Sequence, residues 1–281
     1  LHPLAQRWLK EYIYDLCSNG IQVIISTHSS DFIDPSNLEG AVRVWKDERG
    51  VTDVTQLSSA DLKHQCVEMG VPANKISEVG ISRFYQAKLN TDVIKGLFAR
   101  KVLLVEGATE TQALPLYFKK MGFSPAAKGL EIVSCGGKGN MPSLYRLFTA
   151  YGIECFCLFD ADESKCSNKE LSGLLNIGRM VLGTASCEVE QRYAYFSKDF
   201  ETTAKNEIPD YSTLEHTANL SYRISGKPAI ARFIAEMSNT VPLFAKRLAN
   251  ALDNATVTPH SVSKTLNQDA IYIEDDFDTP F

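Results

Sequence analysis

The chain has 281 residues, of which 44% are hydrophobic, 10% aromatic and 22% charged, a globular composition with enough length for about two domains. This composition excludes disordered and fibrous classes. The longest apolar runs are short, such as 23–25 and 102–105, so no segment approaches the roughly eighteen residues of a membrane-spanning helix. A net charge of −5, from 29 basic and 34 acidic residues, gives no global attraction for nucleic acid, so contact with a phosphate backbone would need a local basic patch or metal ions. Seven cysteines without a CxxC pair fit neither a disulfide framework nor a zinc site, which points to a reducing, cytoplasmic compartment. The opening Leu1-His2-Pro3 has neither an initiating Met nor a signal core, and the chain is expected to be a fragment of something longer.

In chain order, Leu4, Trp8, Leu9, Tyr12, Ile13 and Leu16 recur at three- and four-residue steps and predict an amphipathic helix closed by Asn19-Gly20. The β-branched run Ile21 to Ser26 predicts a strand buried on both faces, ending in the polar tip Ser26-Thr27-His28-Ser29-Ser30. Alternation at 41–45 and 51–54 around a Gly-containing turn predicts an antiparallel hairpin. Residues 57–99 carry helical patterning, including 61–69 and 90–99, and read as a connector. From Arg100 the pattern becomes strand 101–106, helix 110–121, strand 130–134, helix 141–151 and strand 155–160, the alternation of an α/β parallel sheet flanked by helices. Beyond about 167 the chain is mostly helical, with clean periodicity at 228–237 and 242–252, and 257–281 reads as a loose acidic tail.

Two strand ends carry the chemistry. Val102 to Val105 runs into Glu106, a glycine turn and Glu110, four residues on at the start of the next helix, so both acids can face one spot. Cys157-Leu158-Phe159 runs into Asp160-Ala161-Asp162, whose two carboxylates fall on the same side of an extended backbone. Ligands of open parallel sheets sit at the carboxyl ends of the strands, where both pairs lie. Four acids with no Lys or Arg inside either motif would repel unless a hard divalent cation were bound, and oxygen-only donors favour Mg²⁺ or Mn²⁺ over zinc. Either pair alone is equally accounted for by solvated strand-end acids or a first-turn helix acid; the two together, about fifty residues apart, are more specific.

Leu104-Val105-Glu106-Gly-x-x-Glu110 and Phe159-Asp160-x-Asp162 resemble the two signature motifs of the Toprim domain, shared by type IA and II topoisomerases, DnaG-type primases and OLD (overcoming lysogenization defect) nucleases. The flanks Gly96-Leu97-Phe98-Ala99-Arg100-Lys101 and Gly136-Gly137-Lys138-Gly139-Asn140 look like the OLD family, and Ile24 to Ser29 is similar to the strand and switch histidine of ABC-type ATPases. The resemblance implies a remnant of an ATPase domain at 1–56, the connector at 57–99, a Toprim nuclease domain with a helical extension at 100–256 and the tail at 257–281. It further implies cleavage of DNA phosphodiesters with two Mg²⁺ or Mn²⁺ ions on Glu106, Glu110, Asp160 and Asp162, one ion activating water and the other stabilising the leaving oxygen.

A further family acid is implied near Cys187–Gln191, with Glu190 favoured by its spacing to the helix that follows and Glu188 the second choice. Lys227, in Ser225-Gly226-Lys227-Pro228, matches a basic residue of the family that would stabilise the transition state, although a lysine at a helix start is its plain alternative. His28 would sense a γ-phosphate, or would cap or pack. No GxxxxGK[ST] loop is present, so ATP would be used only by a full-length protein, which would also provide any homo-oligomer contact through its missing ATPase portion. Gly136, Gly137 and Gly139 form a turn where backbone N–H groups can approach a phosphate, although glycine clusters are more often simple turns. Lys119, Lys120, Lys138, Arg146, Arg223, Lys227 and Arg232 would line a DNA path if the fold gathers them. The competing readings are another Toprim enzyme of topoisomerase or primase type, a non-catalytic DNA-binding or dimerisation module, and phosphoryl transfer with Asp160 as nucleophile.

Overall fold

A computed structural model describes residues 2–254, apart from 48, 162–168, 179, 181 and 185. The first apolar stripe folds as helix α1 (Pro3–Ser18), opened by His2, whose side chain accepts the Leu4 N–H at 3.3 Å. The strand expected at 21–26 does not form. Residues 21–27 have no regular secondary structure, and Ile21, Ile24 and Ile25 are exposed, Ile24 to 89%. A β-branched apolar run becomes a buried parallel strand only between neighbouring strands and under helices. No strand of the described residues pairs with this one.

The hairpin does form, as β1 (Val42–Lys46) and β2 (Thr52–Gln56), with Val44 opposite Val54. Its outer face stays wet, but Arg43 ties it inward. The guanidinium donates to the Ala99 carbonyl at 3.0 Å and the Tyr151 carbonyl at 3.1 Å, and lies 5.0 Å from the Trp45 ring centroid. The helical stretch that follows consists of α2 (Ser59–Glu68), started by a reciprocal Ser58–Asp61 capping box, then α3 (Glu78–Lys88) and α4 (Thr91–Gly96).

The main sheet has five strands: β3 (Lys101–Val105), β4 (Leu130–Ser134), β5 (Glu154–Asp160), β6 (Cys187–Val189) and β7 (Tyr193–Phe196), in the order β4-β3-β5-β7-β6. β4, β3, β5 and β7 are parallel, and β6 is an antiparallel edge. The α/β architecture expected from the alternating pattern is therefore present, and the β6–β7 hairpin is an addition within the region expected to be mostly helical. The unbroken apolarity of β3 and β5 follows from burial on both faces. Val102, Leu104, Cys155, Cys157 and Phe159 enter one core, and Leu103, Val105, Phe156 and Leu158 enter the other.

Helices form the outer layers. The first core is covered by α2, α3 and α4 together with α6 (Met141–Ala150) and α7 (Lys169–Leu175). The second is covered by α5 (Ala108–Lys120), α8 (Phe200–Glu207), α9 (Tyr211–Leu220), α10 (Lys227–Met237) and α11 (Leu243–Asn254). The helices of 59–96 thus share a core with the sheet: Leu62, Cys66, Ile81, Tyr85, Val93 and Ile94 pack with its first face. Among the described residues no helix is long and apolar enough to cross a membrane. The tail expected at 257–281 lies outside the described residues.

Gly96, at the end of α4, is where this layer approaches the sheet most closely. A Cβ there would meet the Phe148 ring at 2.7 Å and 2.8 Å and Val133 Cγ2 at 3.1 Å. Phe148 and Val133 are fully buried, so neither can swing into solvent. We predict that Gly96→Ala destabilises the chain by about 1–3 kcal/mol, the usual range for overpacking, measured as a lowered thermal midpoint. An unchanged midpoint would mean that α4 can shift off the sheet at no cost.

Candidate functional site

The four parallel strands end on one edge, and the sequence places acids there. Glu106 follows β3 directly, and its carboxylate Oε1 accepts the backbone N–H of Asp160, the last residue of β5, at 2.7 Å. Glu110 sits in the first turn of α5 and is buried, with Oε2 accepting the Gly107 N–H at 3.1 Å. This bond satisfies an orphan helix donor and turns the carboxyl back toward Glu106. Burial raises the Glu110 pKa, reinforced by the charges of Glu106 and Glu201 and opposed by its own and the Gly107 N–H.

Asp160 is perturbed in the same direction. Its carboxyl is pushed up to about 8, first by burial and then by the nearby Glu106, Glu110, Glu201 and Asp199 carboxylates. Its Oδ1 is buried and has no hydrogen-bond partner among the described residues. A buried carboxylate oxygen without a partner is costly, and a hard cation would satisfy it. The donors of Glu106, Glu110 and Asp160 are all oxygens, the ligand type that a divalent ion such as Mg²⁺ or Mn²⁺ would take. Among the described residues no three His, Cys, Asp or Glu side chains already form a group that could hold a metal ion. Asp162, the fourth acid expected from the sequence, lies outside the described residues.

A cation from outside both motifs, Lys138, lies among these acids. Gly136 at φ +65° and Gly137 at φ +120° reverse the chain after β4, a path that residues with a Cβ adopt only under strain. The Gly137 N–H bonds the Glu106 carbonyl at 2.7 Å. Lys138 is thereby turned inward and buried, with Nζ donating to the Asp160 carbonyl at 2.6 Å and lying 3.8 Å from Glu106 Oε1. It therefore does not belong to a surface DNA path.

The other candidates scatter. Lys227 opens α10 and pairs with Glu201 at 3.4 Å, its own side chain 73% exposed. Glu190 is exposed, and its N–H bonds the carbonyl of Tyr193, which is in register with Cys157, about 10 Å along the strand from Asp160. Glu188 faces Arg247 at 3.8 Å. His28 is exposed, with its ring 6.5 Å from that of Phe98. Arg146 is buried and paired with Glu170, so it too leaves the proposed DNA path. Lys119 and Lys120 lie at the far end of α5 from Glu110, about 14 Å along the axis. Arg232 stays on the surface, donating to Gln112 on α5 at 3.0 Å, and Arg223 is exposed.

Two acids were missed in the sequence. Asp199 caps α8 through the Thr202 N–H, and Glu201 stands in the first turn of α8. Both act electrostatically on Asp160. They follow β7, the next parallel strand, whereas Glu188 lies within the antiparallel β6, opposite Tyr195, and Glu190 follows the end of β6 that points away from this edge. The usable signal was Tyr193 to Phe196, an apolar strand followed within five residues by two acids.

Residues 97–162, from the end of α4 past β5, match a family model described as the overcoming lysogenization defect protein-like Toprim domain. The matched residues include β3, β4 and β5, whose carboxyl ends hold Glu106, Glu110 and Asp160. The chain is 29% identical over 220 residues to the Old nuclease of Escherichia phage P2, covering 71% of this chain and 35% of that one. It is 28% identical over 163 residues to the OLD nuclease of Thermus scotoductus, covering 58% and 29% respectively. The chain thus spans about a third of the length of these curated relatives. The solved C-terminal region of the Burkholderia pseudomallei OLD protein aligns with a TM-score of 0.42 at 16% identity, covering 56% of this chain and 98% of that one.

The raised pKa of Asp160 has a thermodynamic consequence in metal-free protein. Between the ordinary value of 3.8 and about 8 the folded state holds a proton that the unfolded chain has released, so folding is favoured at the acid end. We predict that stability falls as pH rises through this window and that Asp160→Asn flattens the fall. Thermal midpoints measured against pH in excess chelator test this, and equal slopes for the two proteins would refute the assignment.

Proposed function

We propose that the chain is the nuclease portion of an OLD-type protein and hydrolyses DNA phosphodiester bonds with Mg²⁺ or Mn²⁺ held by Glu106, Glu110, Asp160 and Asp162. The observation that carries this reading is the unpartnered, buried Asp160 Oδ1 beside two further acids at the carboxyl edge of a Toprim sheet. The names of the relatives support it, both being nucleases. A bound divalent ion would supply Lewis-acid activation of a water nucleophile and stabilise charge on the leaving oxygen.

The protein's own contribution is preorganisation. The Asp160 N–H fixes one Glu106 oxygen and the Gly107 N–H fixes one Glu110 oxygen, so both acids are held at the carboxyl edge by main-chain donors. Lys227 extends into solvent while Glu201 anchors it near the acid edge. There it offers a point charge to a non-bridging phosphate oxygen. Arg232, held against α5 by Gln112, adds a second cation on the same side for the DNA backbone.

The test is cleavage of supercoiled and linear DNA in Mg²⁺, Mn²⁺, Ca²⁺ or EDTA. We expect cleavage in Mg²⁺ or Mn²⁺, none in EDTA or with Asp160→Asn, and about 10²-fold slower turnover with Lys227→Ala at unchanged metal affinity. Metal binding lost equally in Lys227→Ala would remove the transition-state role of that residue. DNA binding without cleavage under every metal would make the chain a binding module.

A further inference from the structure

The turn between α9 and α10 is carried to the acid edge and has no part in the reading above. α8 starts at that edge with Asp199 and Glu201 and runs away from it. α9 packs back along α8, with Glu215 lying 3.6 Å from Lys205 near the end of α8. α10 then leaves the edge again: it begins with the Lys227–Glu201 pair and runs beside α5, where Arg232 meets Gln112 and the Lys120 ammonium donates to the Glu236 carbonyl at 3.1 Å. Residues 221–226 therefore sit on the side of the sheet where the acids lie.

The backbone of this turn is strained at a charged residue. Arg223 has φ +54° and is one of two residues other than glycine with positive φ among the described residues. The Ile224 N–H bonds the Ala218 carbonyl at 2.9 Å, so the left-handed residue closes the end of α9, a place usually given to glycine because a Cβ is crowded there. The side chain gains nothing in exchange: it is exposed and makes no hydrogen bond or ion pair among the described residues. The acids nearby are already matched, Glu201 by Lys227 and Glu236 by Arg232 at 2.9 Å. Strain without an internal partner points to a role outside the fold.

Tyr222 stands next to that guanidinium and is 61% exposed. Its ring centroid lies 5.3 Å from that of Phe233 on α10, tilted by 48°, so the buried Phe233 braces one side of the phenol and leaves the rest in water. An exposed aromatic alone is ordinary. Beside an unpaired arginine, and in the turn that leads into Lys227, it has the makeup of a single-strand contact, a π-face for a base and a cation for the backbone. A base inside a duplex is stacked on both faces and offers neither to Tyr222.

We propose that Tyr222 and Arg223 form a nucleotide subsite beside the acid edge, in which Tyr222 stacks on an unpaired base and Arg223 holds the adjoining phosphate. The subsite selects DNA with unpaired nucleotides over an intact duplex. DNA as its ligand rests on the nuclease reading above.

The experiment measures binding of a dye-labelled DNA single strand and of its duplex by fluorescence anisotropy in Mg²⁺. The 281-residue chain and all variants carry Asp160→Asn so that no strand is cut. The parent and Tyr222→Trp are expected to prefer the single strand. Tyr222→Leu keeps an apolar group against Phe233 but cannot stack, and is expected to bind the single strand about 10-fold more weakly with duplex affinity unchanged. Arg223→Gly is expected to weaken single-strand binding and to lower the salt dependence by about one ion, while raising the thermal midpoint by relieving the left-handed strain. No loss in Tyr222→Leu, or equal loss on both DNAs, would overturn the base contact. Unchanged affinity in Arg223→Gly would overturn the phosphate contact. Equal binding of single strand and duplex by the parent would overturn the subsite and leave the cleavage test above untouched. Absence of cleavage in that test, with the preference present here and lost in Tyr222→Leu, would overturn the nuclease reading and still support the subsite.

Discussion

The bond between the Glu106 carboxylate and the Asp160 N–H is the constraint on which the functional edge depends. It closes the gap between β3 and β5 one residue beyond their ladder, where regular pairing has stopped and the chains would otherwise diverge. Because the acceptor is charged, the bond is of the stronger kind. It is sheltered by α5 on one side and by the glycine reversal after β4 on the other. Both signature motifs thus meet through a main-chain donor, and the distance between their acids is set by sheet geometry.

Around that bond the electrostatics are uneven by construction. Glu106 has a backbone donor and a lysine, Glu110 has a helix-terminal donor, and Asp160 has an oxygen with neither. Burial raises the pKa of both Glu110 and Asp160, with the neighbouring carboxylates adding to each shift, and Glu110 alone has backbone donors that oppose it.

How far the sequence discloses this depends on whether a feature is local. Val102 to Val105 and Cys157 to Phe159 are legible as buried strands because each is apolar without interruption, and the acids at their ends are legible because they directly follow. Ile21 to Ile25 carries the same signature and stays exposed, since burial of a strand is decided by partners its own residues do not encode. Lys138 reads as a surface lysine until two positive-φ glycines fold it under the sheet edge. Asp199 and Glu201 were passed over because the direction of β6 and β7, which decides the edge an acid reaches, is set by tertiary pairing. The helices of 59–96 look like a connector in sequence because their apolar positions are sparse, yet Leu62, Cys66, Ile81, Tyr85, Val93 and Ile94 among them enter the core of the sheet.

The position of Trp45 has a practical side. The chain has two tryptophans, Trp8 and Trp45, and both precede the sheet domain. Trp8 is 65% exposed and stacked on Tyr12, whereas Trp45 lies against the guanidinium that grips the Ala99 and Tyr151 carbonyls. Indole emission from Trp45 therefore reports on the seating of the hairpin against the carbonyls that flank β3 and β5, an intrinsic optical label at the junction of the hairpin and the sheet.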